Sequence, residues 1–167
     1  MTSFNADTIQ EFMDAAAEKF GAGGLGETEY HVNSSYRFRD GKLIDVSFTL
    51  KVTIDFATFG GGKPDKANHD AITHVVHLGK VHETKHKEGY EATFNRWKPQ
   101  AVKDLKAATY KDENEAKAAL QKKVDEINDK MKAACLDLHS KEGFVDVMQT
   151  GSTISITMKP AVASGCE

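Results

Sequence analysis

The sequence predicts an α+β fold in which an antiparallel β-sheet packs on two long helices. Between residues 28 and 57 apolar and polar residues alternate, which is typical of strands with one buried face. Two later segments carry apolar residues at steps of three and four, as amphipathic helices do. A second alternating segment, Ile154 to Met158, follows these helices and is expected to extend the sheet.

Composition limits the classes of function. A chain of 167 residues suits one domain with a real core, and 40% hydrophobic with 28% charged residues is ordinary for a globular protein. The formal net charge of −3 gives no electrostatic reason to expect nucleic acid or an anionic membrane as a partner. No run approaches the roughly 18 apolar residues that span a bilayer. Nothing in the sequence indicates an oligomeric state.

Glycine-rich and polar segments divide the chain into three parts. Residues 1–26 are expected to form an N-terminal amphipathic helix and a Gly-rich linker. Residues 27–160 are expected to form a single domain. Residues 161–167 are predicted to be a flexible tail, because Pro160 ends the last strand.

The β region is predicted to be a hairpin. Residues 30–38 and 44–56 alternate in the same sense and are joined at Asp40-Gly41. A two-residue turn would pair Tyr36 with Asp45 and mix the apolar and polar faces. A three-residue loop shifts the pairing by one position and keeps the apolar residues of both strands together, so the longer loop is predicted.

Two long helices are predicted after the hairpin. The first begins near Asp65 or Asn68, either of which would serve as N-cap, and Pro99 is expected to end it. The second begins after Asp112 and carries an apolar stripe that ends at Leu138.

The first long helix contains the pentapeptide His82-Glu83-Thr84-Lys85-His86, an HExxH motif. On a helix, the two histidines project from one face, and imidazole nitrogen is a common ligand of Zn²⁺. Glu83 would lie beside the metal, where a carboxylate can take a proton from water.

The setting of the motif bears on its meaning. The two histidines continue the apolar line of Ala71, Val75 and Leu78 at steps of four, three, four and four. A chance match on a solvated face would more often fall among Lys and Glu side chains, which favours a metal site. A histidine on an apolar face is also often a core residue bonded to a carbonyl group, so this second interpretation stays open.

The third metal ligand is less clearly marked. The metzincin pattern would require histidine at position 92, where the chain has Ala92, so that pattern is excluded. His139, at the end of the second helix, would approach the motif if the two helices run antiparallel, and it is the favoured ligand. Glu113, Glu115 and Glu91 are alternatives.

The remaining signals concern location. Cys135 and Cys166 are too few for a disulfide scaffold and match no zinc spacing, so one bridge or two free thiols are both compatible with the sequence. The N-terminus lacks a basic segment followed by an apolar block and is not expected to be a signal peptide. Cytoplasmic location, export by another route and a trimmed leader all stay open.

The alternating strand at 44–56, the run HVVHLGKVHETKHKEGY and the later LDLHSKEG resemble the bacterial secreted zinc-dependent proteases, a little-characterised family also described as a domain of unknown function. The resemblance implies a zincin-like fold and a secreted or periplasmic location. It also implies that His82 and His86 bind metal and that Glu83 is catalytic. His139 would correspond to the histidine that follows the motif later in the family pattern.

The sequence thus predicts a zinc-dependent metallopeptidase that hydrolyses a peptide or protein substrate. Glu83 would be the general base. Tyr90, two turns beyond His82, and His77 are the candidates for assisting the oxyanion. The alternative is a non-catalytic binding or structural domain, such as a phage or secretion-system component, with an accidental or vestigial HExxH. A zinc-stabilised module without catalysis is a third hypothesis.

Overall fold

The computed structural model describes residues 1–161 and residue 166. Most of the predicted tail, 161–167, therefore lies outside the described residues. The α+β class is confirmed. The elements in chain order are β1 (Thr2–Asn5), α1 (Ile9–Phe20), β2 (Gly26–Arg39), β3 (Lys42–Gly61), α2 (Lys66–Ala107), α3 (Glu113–His139), β4 (Phe144–Thr150) and β5 (Thr153–Lys159). No helix among the described residues is long and apolar enough to cross a membrane.

The strands form a mixed sheet and a separate hairpin. The strand order is β1-β3-β2, and β1 runs parallel to β3, with Thr2 opposite Ala57. The prediction of a purely antiparallel sheet was therefore wrong. The last strand, β5, does not extend this sheet but pairs antiparallel with β4, with Val145 opposite Met158. The two strands are close in sequence, so their pairing costs little loop-closure entropy.

The turn between β2 and β3 corrects the predicted three-residue loop. The loop is Asp40-Gly41 alone, and both residues have positive φ, 50° and 72°, as a type I′ turn requires. Asp45 also has a positive φ of 52°. The buried residues on either side of Asp45 are Leu43 and Val46, which are three positions apart rather than two. This irregularity at Asp45 brings the apolar residues of both strands back to one buried face. The longer loop had been predicted for that same reason.

Helix α2 is one continuous helix of 42 residues. Asp65 caps it, since its Oδ1 accepts the backbone N–H of Asn68 at 2.9 Å. The helix continues through Pro99, where the prediction ended it. Trp97 and Ala101, which flank the proline, are buried. Burial of these apolar side chains stabilises the helix and opposes the cost of the hydrogen bond that proline cannot donate.

The chain comprises two compact units. The first consists of Met1–Glu29, Thr53–Lys87 and Leu136–Glu167. Its core includes Ile9 and Phe12 of α1 and Val75 of α2, all fully buried. The N-terminal helix therefore packs into this unit. Thr8 and Glu11 form a capping box that starts α1.

The second unit consists of Tyr30–Val52 and Glu88–Cys135. Phe48 of β3 packs edge-on against Trp97 of α2, with ring centroids 4.8 Å apart. Ile127 and Met131, on the apolar stripe of α3, are fully buried. This stripe therefore has the core-packing role that its spacing predicts.

Candidate metal centre

Three histidines lie together in the first unit. His82 and His86 occupy successive turns of α2, and His139 is the last residue of α3. Their residues are 8%, 6% and 8% exposed, respectively. The burial of the first two agrees with their position on the apolar line of α2, which begins with the buried Ala71 and Val75. The structure therefore brings the favoured third residue to the motif.

The imidazole nitrogens converge on one point. Nε2 of His86 lies 3.1 Å from Nε2 of His82 and 3.0 Å from Nε2 of His139. Zinc–nitrogen bonds of roughly 2.0–2.1 Å in a tetrahedral site place ligand nitrogens about 3.4 Å apart, close to this spacing. All three ligand atoms lie within 4.8 Å of one another. The three nitrogens therefore have the spacing of three corners of a tetrahedral metal site.

Hydrogen bonding alone explains this cluster poorly. A neutral ring nitrogen carries either one proton or one lone pair, so His86 Nε2 can form one good hydrogen bond. It faces two nitrogens at hydrogen-bond distance. A cation at the centre would instead use one lone pair from each ring. The donor set thus fits a metal ion.

Burial keeps two of these rings neutral. It lowers the pKa of His82 to about 4, with a further contribution from the nearby His139. It lowers the pKa of His86 to about 3, and the neighbouring His82 and His139 act in the same direction. A neutral imidazole retains the lone pair that a metal requires.

Glu83 lies next to the cluster in sequence and is 4% exposed. Thr28 Oγ1 donates a hydrogen bond to Glu83 Oε2 at 2.6 Å. Burial raises the pKa of Glu83 to about 7; the Thr28 hydrogen bond opposes this shift, and Glu27 adds to it. The Glu83 carboxylate does not belong to the converging group of described residues. Its carboxylate is therefore buried beside the histidines in sequence without being one of the converging ligand atoms.

The start of β2 passes close to Glu83. A Cβ built on Gly26 would meet Glu83 Cγ at 2.5 Å and the backbone oxygen of Asp55 at 2.8 Å. Neither Gly26 nor Thr28 was predicted as a site residue, because Gly26 was expected to lie in a linker and Thr28 in a strand. A glycine that opens a strand was the available signal, since it often marks a close approach of other atoms.

A charged pair borders the cluster. Lys85, inside the motif, forms an ion pair with Glu142, three residues after His139. Their side chains are 45% and 23% exposed, so the pair contributes at most about 1 kcal/mol. Its contact links α2 to the segment that follows His139.

The alternative carboxylate ligands have other partners. Glu113 accepts a hydrogen bond from Tyr36 at 3.1 Å, and Glu115 accepts the backbone N–H of Lys111 at 2.6 Å. Both belong to the second unit, as does Glu91. None of the three glutamates belongs to the converging group of described residues.

Tyr90, the predicted oxyanion residue, also belongs to the second unit. It is 4% exposed, and its ring packs against Tyr30 with centroids 4.8 Å apart. Its catalytic role stays a prediction.

The two cysteines are both disulfide-bonded, which decides between the two states that the sequence left open. With His139 they form a second group of potential metal ligands. Sulfurs that are bonded to each other are not thiolates and are poor zinc ligands. With the disulfide formed, the group of three histidines therefore suits a metal ion better than the group that includes the two cysteines. Cys166 Sγ lies 3.4 Å from Nδ1 of His139.

Comparisons with known proteins found no similar protein. No family model matches the sequence, and no curated protein or solved structure matches it. The resemblance to the secreted zinc proteases therefore stays a prediction.

Proposed function

We propose that this chain is a zinc-dependent metallopeptidase. The observation that carries the proposal is the convergence of three imidazole Nε2 atoms at spacings of 3.0 and 3.1 Å. A buried carboxylate follows the first of these histidines directly in sequence. Three protein nitrogens with one coordination position left open are typical of catalytic zinc sites.

The residues divide the work of hydrolysis. His82, His86 and His139 would hold zinc through their Nε2 lone pairs. A zinc ion held there would act as a Lewis acid, which would polarise a peptide carbonyl group and lower the pKa of water. Glu83 accepts a proton from the attacking water and passes it to the leaving amine, so that one peptide bond and one water give a carboxylate and an amine. The Thr28 hydroxyl fixes the orientation of the Glu83 carboxylate through their hydrogen bond.

The first experiment measures metal. Protein purified without a histidine tag after growth with added zinc should contain about one equivalent, as element analysis would show. Less than about half an equivalent would overturn the metal site.

The second experiment replaces the base. Glu83→Gln keeps the size of the side chain and should keep zinc, while hydrolysis of a fluorogenic peptide library falls by about 10²–10⁴-fold. Glu88→Gln is the matched control, because Glu88 is exposed on the same helix. Hydrolysis by Glu83→Gln at the rate of the control would remove Glu83 as the base.

Burial favours a second candidate, a structural zinc site. His82, Glu83, His86 and His139 are all less than 9% exposed, and such burial limits the access of a peptide substrate to a bound ion. This candidate predicts that zinc removal lowers the melting temperature while neither the wild type nor Glu83→Gln hydrolyses peptides.

We further propose that the protein works in an oxidising compartment. A disulfide persists in secreted and periplasmic proteins and is rare in the cytosol. Both cysteines are bonded here. The proposal agrees with the secreted location that the family resemblance implies, and the free-thiol content of protein isolated from its native cell would test it.

A further inference from the structure

The two ring nitrogens of His139 face different groups. Nε2 lies 3.0 Å from Nε2 of His86, at the converging point. Nδ1 lies 3.4 Å from Cys166 Sγ, within hydrogen-bond range of sulfur. A histidine that binds metal usually donates its other N–H to an acceptor, and this bond fixes its tautomer and its orientation. Sulfur occupies that position here.

The disulfide determines which tautomer this contact allows. A disulfide sulfur carries no proton, so it can only accept a hydrogen bond. The proton must then lie on Nδ1 of His139, which leaves Nε2 with a lone pair directed toward His82 and His86. A free thiol at Cys166 would also be able to donate to Nδ1, and that bond would place the ring proton on Nε2. The lone pair would then no longer face the metal point.

One end of the disulfide, Cys135, lies on the same helix as His139. Cys135 precedes His139 by four residues, one turn of the same helix α3. A sulfur bonded to Cys135 is therefore tied to the helix that carries the ligand. Cys135, His139 and Cys166 are 2%, 8% and 8% exposed, so water competes little for the contact.

We propose that the disulfide between Cys135 and Cys166 is a positioning element of the metal centre, in which the Cys166 sulfur holds His139 in the tautomer that presents Nε2. Cys166 acts through His139 and does not touch substrate. The proposal rests on the proposed metal site, but one of its two tests needs no metal.

The first test reads the tautomer directly in metal-free protein. Nitrogen-15 NMR of the histidine rings at neutral pH should show the proton of His139 on Nδ1 in the wild type. In Cys135→Ala/Cys166→Ala, which removes both sulfurs, the proton should distribute over both nitrogens. A wild-type proton on Nε2, or an identical tautomer in the folded double variant, would overturn the proposal.

The second test measures zinc affinity by competition with a chelator. The double variant should bind zinc about 10–100-fold more weakly, the range typical for loss of a partner of a metal-binding histidine. Thr8→Ala is the stability control. It removes the α1 cap in the same unit at a cost of about 1 kcal/mol and leaves the histidines untouched. Equal zinc affinity in the double variant and the control would contradict the proposal.

The outcomes separate this inference from the proposed function. If the wild type binds no zinc, the proposed function fails, and the NMR test still decides the tautomer. If the wild type binds zinc and hydrolyses peptides while the double variant matches it in both tautomer and affinity, the disulfide has no positioning role and the proposed function stands.

Discussion

The Nε2 atoms of His86 and His139 lie 3.0 Å apart, although 53 positions separate the two residues in the chain. The contact joins the third histidine to the HExxH pair through the end of α3. The loss of either ring would leave two nitrogens, too few for a stable zinc site with an open position.

His139→Ala should therefore lose zinc. We expect affinity to fall by more than the ~10–100-fold that follows the loss of an indirect partner, because a direct ligand is removed. Element analysis and chelator competition would measure it. His77→Ala is the matched control, an exposed histidine on α2. Equal zinc content in the two variants would exclude His139 as a ligand.

Gly26→Ala should destabilise the protein. The new Cβ would meet Glu83 Cγ at 2.5 Å and Asp55 backbone oxygen at 2.8 Å, so side chain and backbone must shift. Overpacking of this kind costs about 1–3 kcal/mol. Thermal unfolding followed by circular dichroism would show a lower melting temperature.

Gly89→Ala should instead stabilise the protein. Gly89 lies inside α2, and an added Cβ would meet nothing within 4 Å. Alanine in a helix interior is about 0.5–1 kcal/mol more favourable than glycine. A Gly26→Ala variant as stable as Gly89→Ala would contradict the close approach of β2 to Glu83.

Tyr110 should make the protein sensitive to alkali. Burial raises the pKa of Tyr110 above its usual value of 10.0, with a further contribution from Glu115. The unfolded chain then loses its phenolic proton first as the pH rises. Stability is thus complete below about pH 10 and is lost as the pH rises through the folded pKa.

Tyr110→Phe tests this dependence. At pH 8 the variant should be about 1 kcal/mol less stable, because the hydrogen bond from Tyr110 to the Leu105 carbonyl is lost. Between pH 8 and 11 its melting temperature should fall less than that of the wild type. An equal fall in both proteins would contradict the assignment.

Asp40 tests the two-residue turn. Its φ of 50° is unfavourable for residues with a Cβ and costs glycine nothing. Asp40→Ala should be about 1 kcal/mol less stable than Asp40→Gly in urea unfolding, since alanine lacks the polar side chain that lets aspartate adopt this conformation. Equal stability would contradict a positive φ at this position.

Local patterns predicted most of the secondary structure. The alternation of 44–56 and the stripe of α3 each report which side of an element is buried, and the structure confirms both elements. The patterns failed where distant contacts decide. The parallel pairing of β1 depends on β3, more than 50 residues away. The continuation of α2 through Pro99 depends on packing around Trp97.

The sequence by itself determined the spacing of His82 and His86, the position of Glu83 directly after His82 and the apolar line that the two histidines continue, because these follow from helix geometry alone. Only the tertiary structure decided that His139 rather than a glutamate meets the pair, that Gly26 and Thr28 lie against Glu83, and that Cys166 lies beside His139. Such contacts depend on where separate elements pack, and a periodic pattern along one element carries no information about its neighbours.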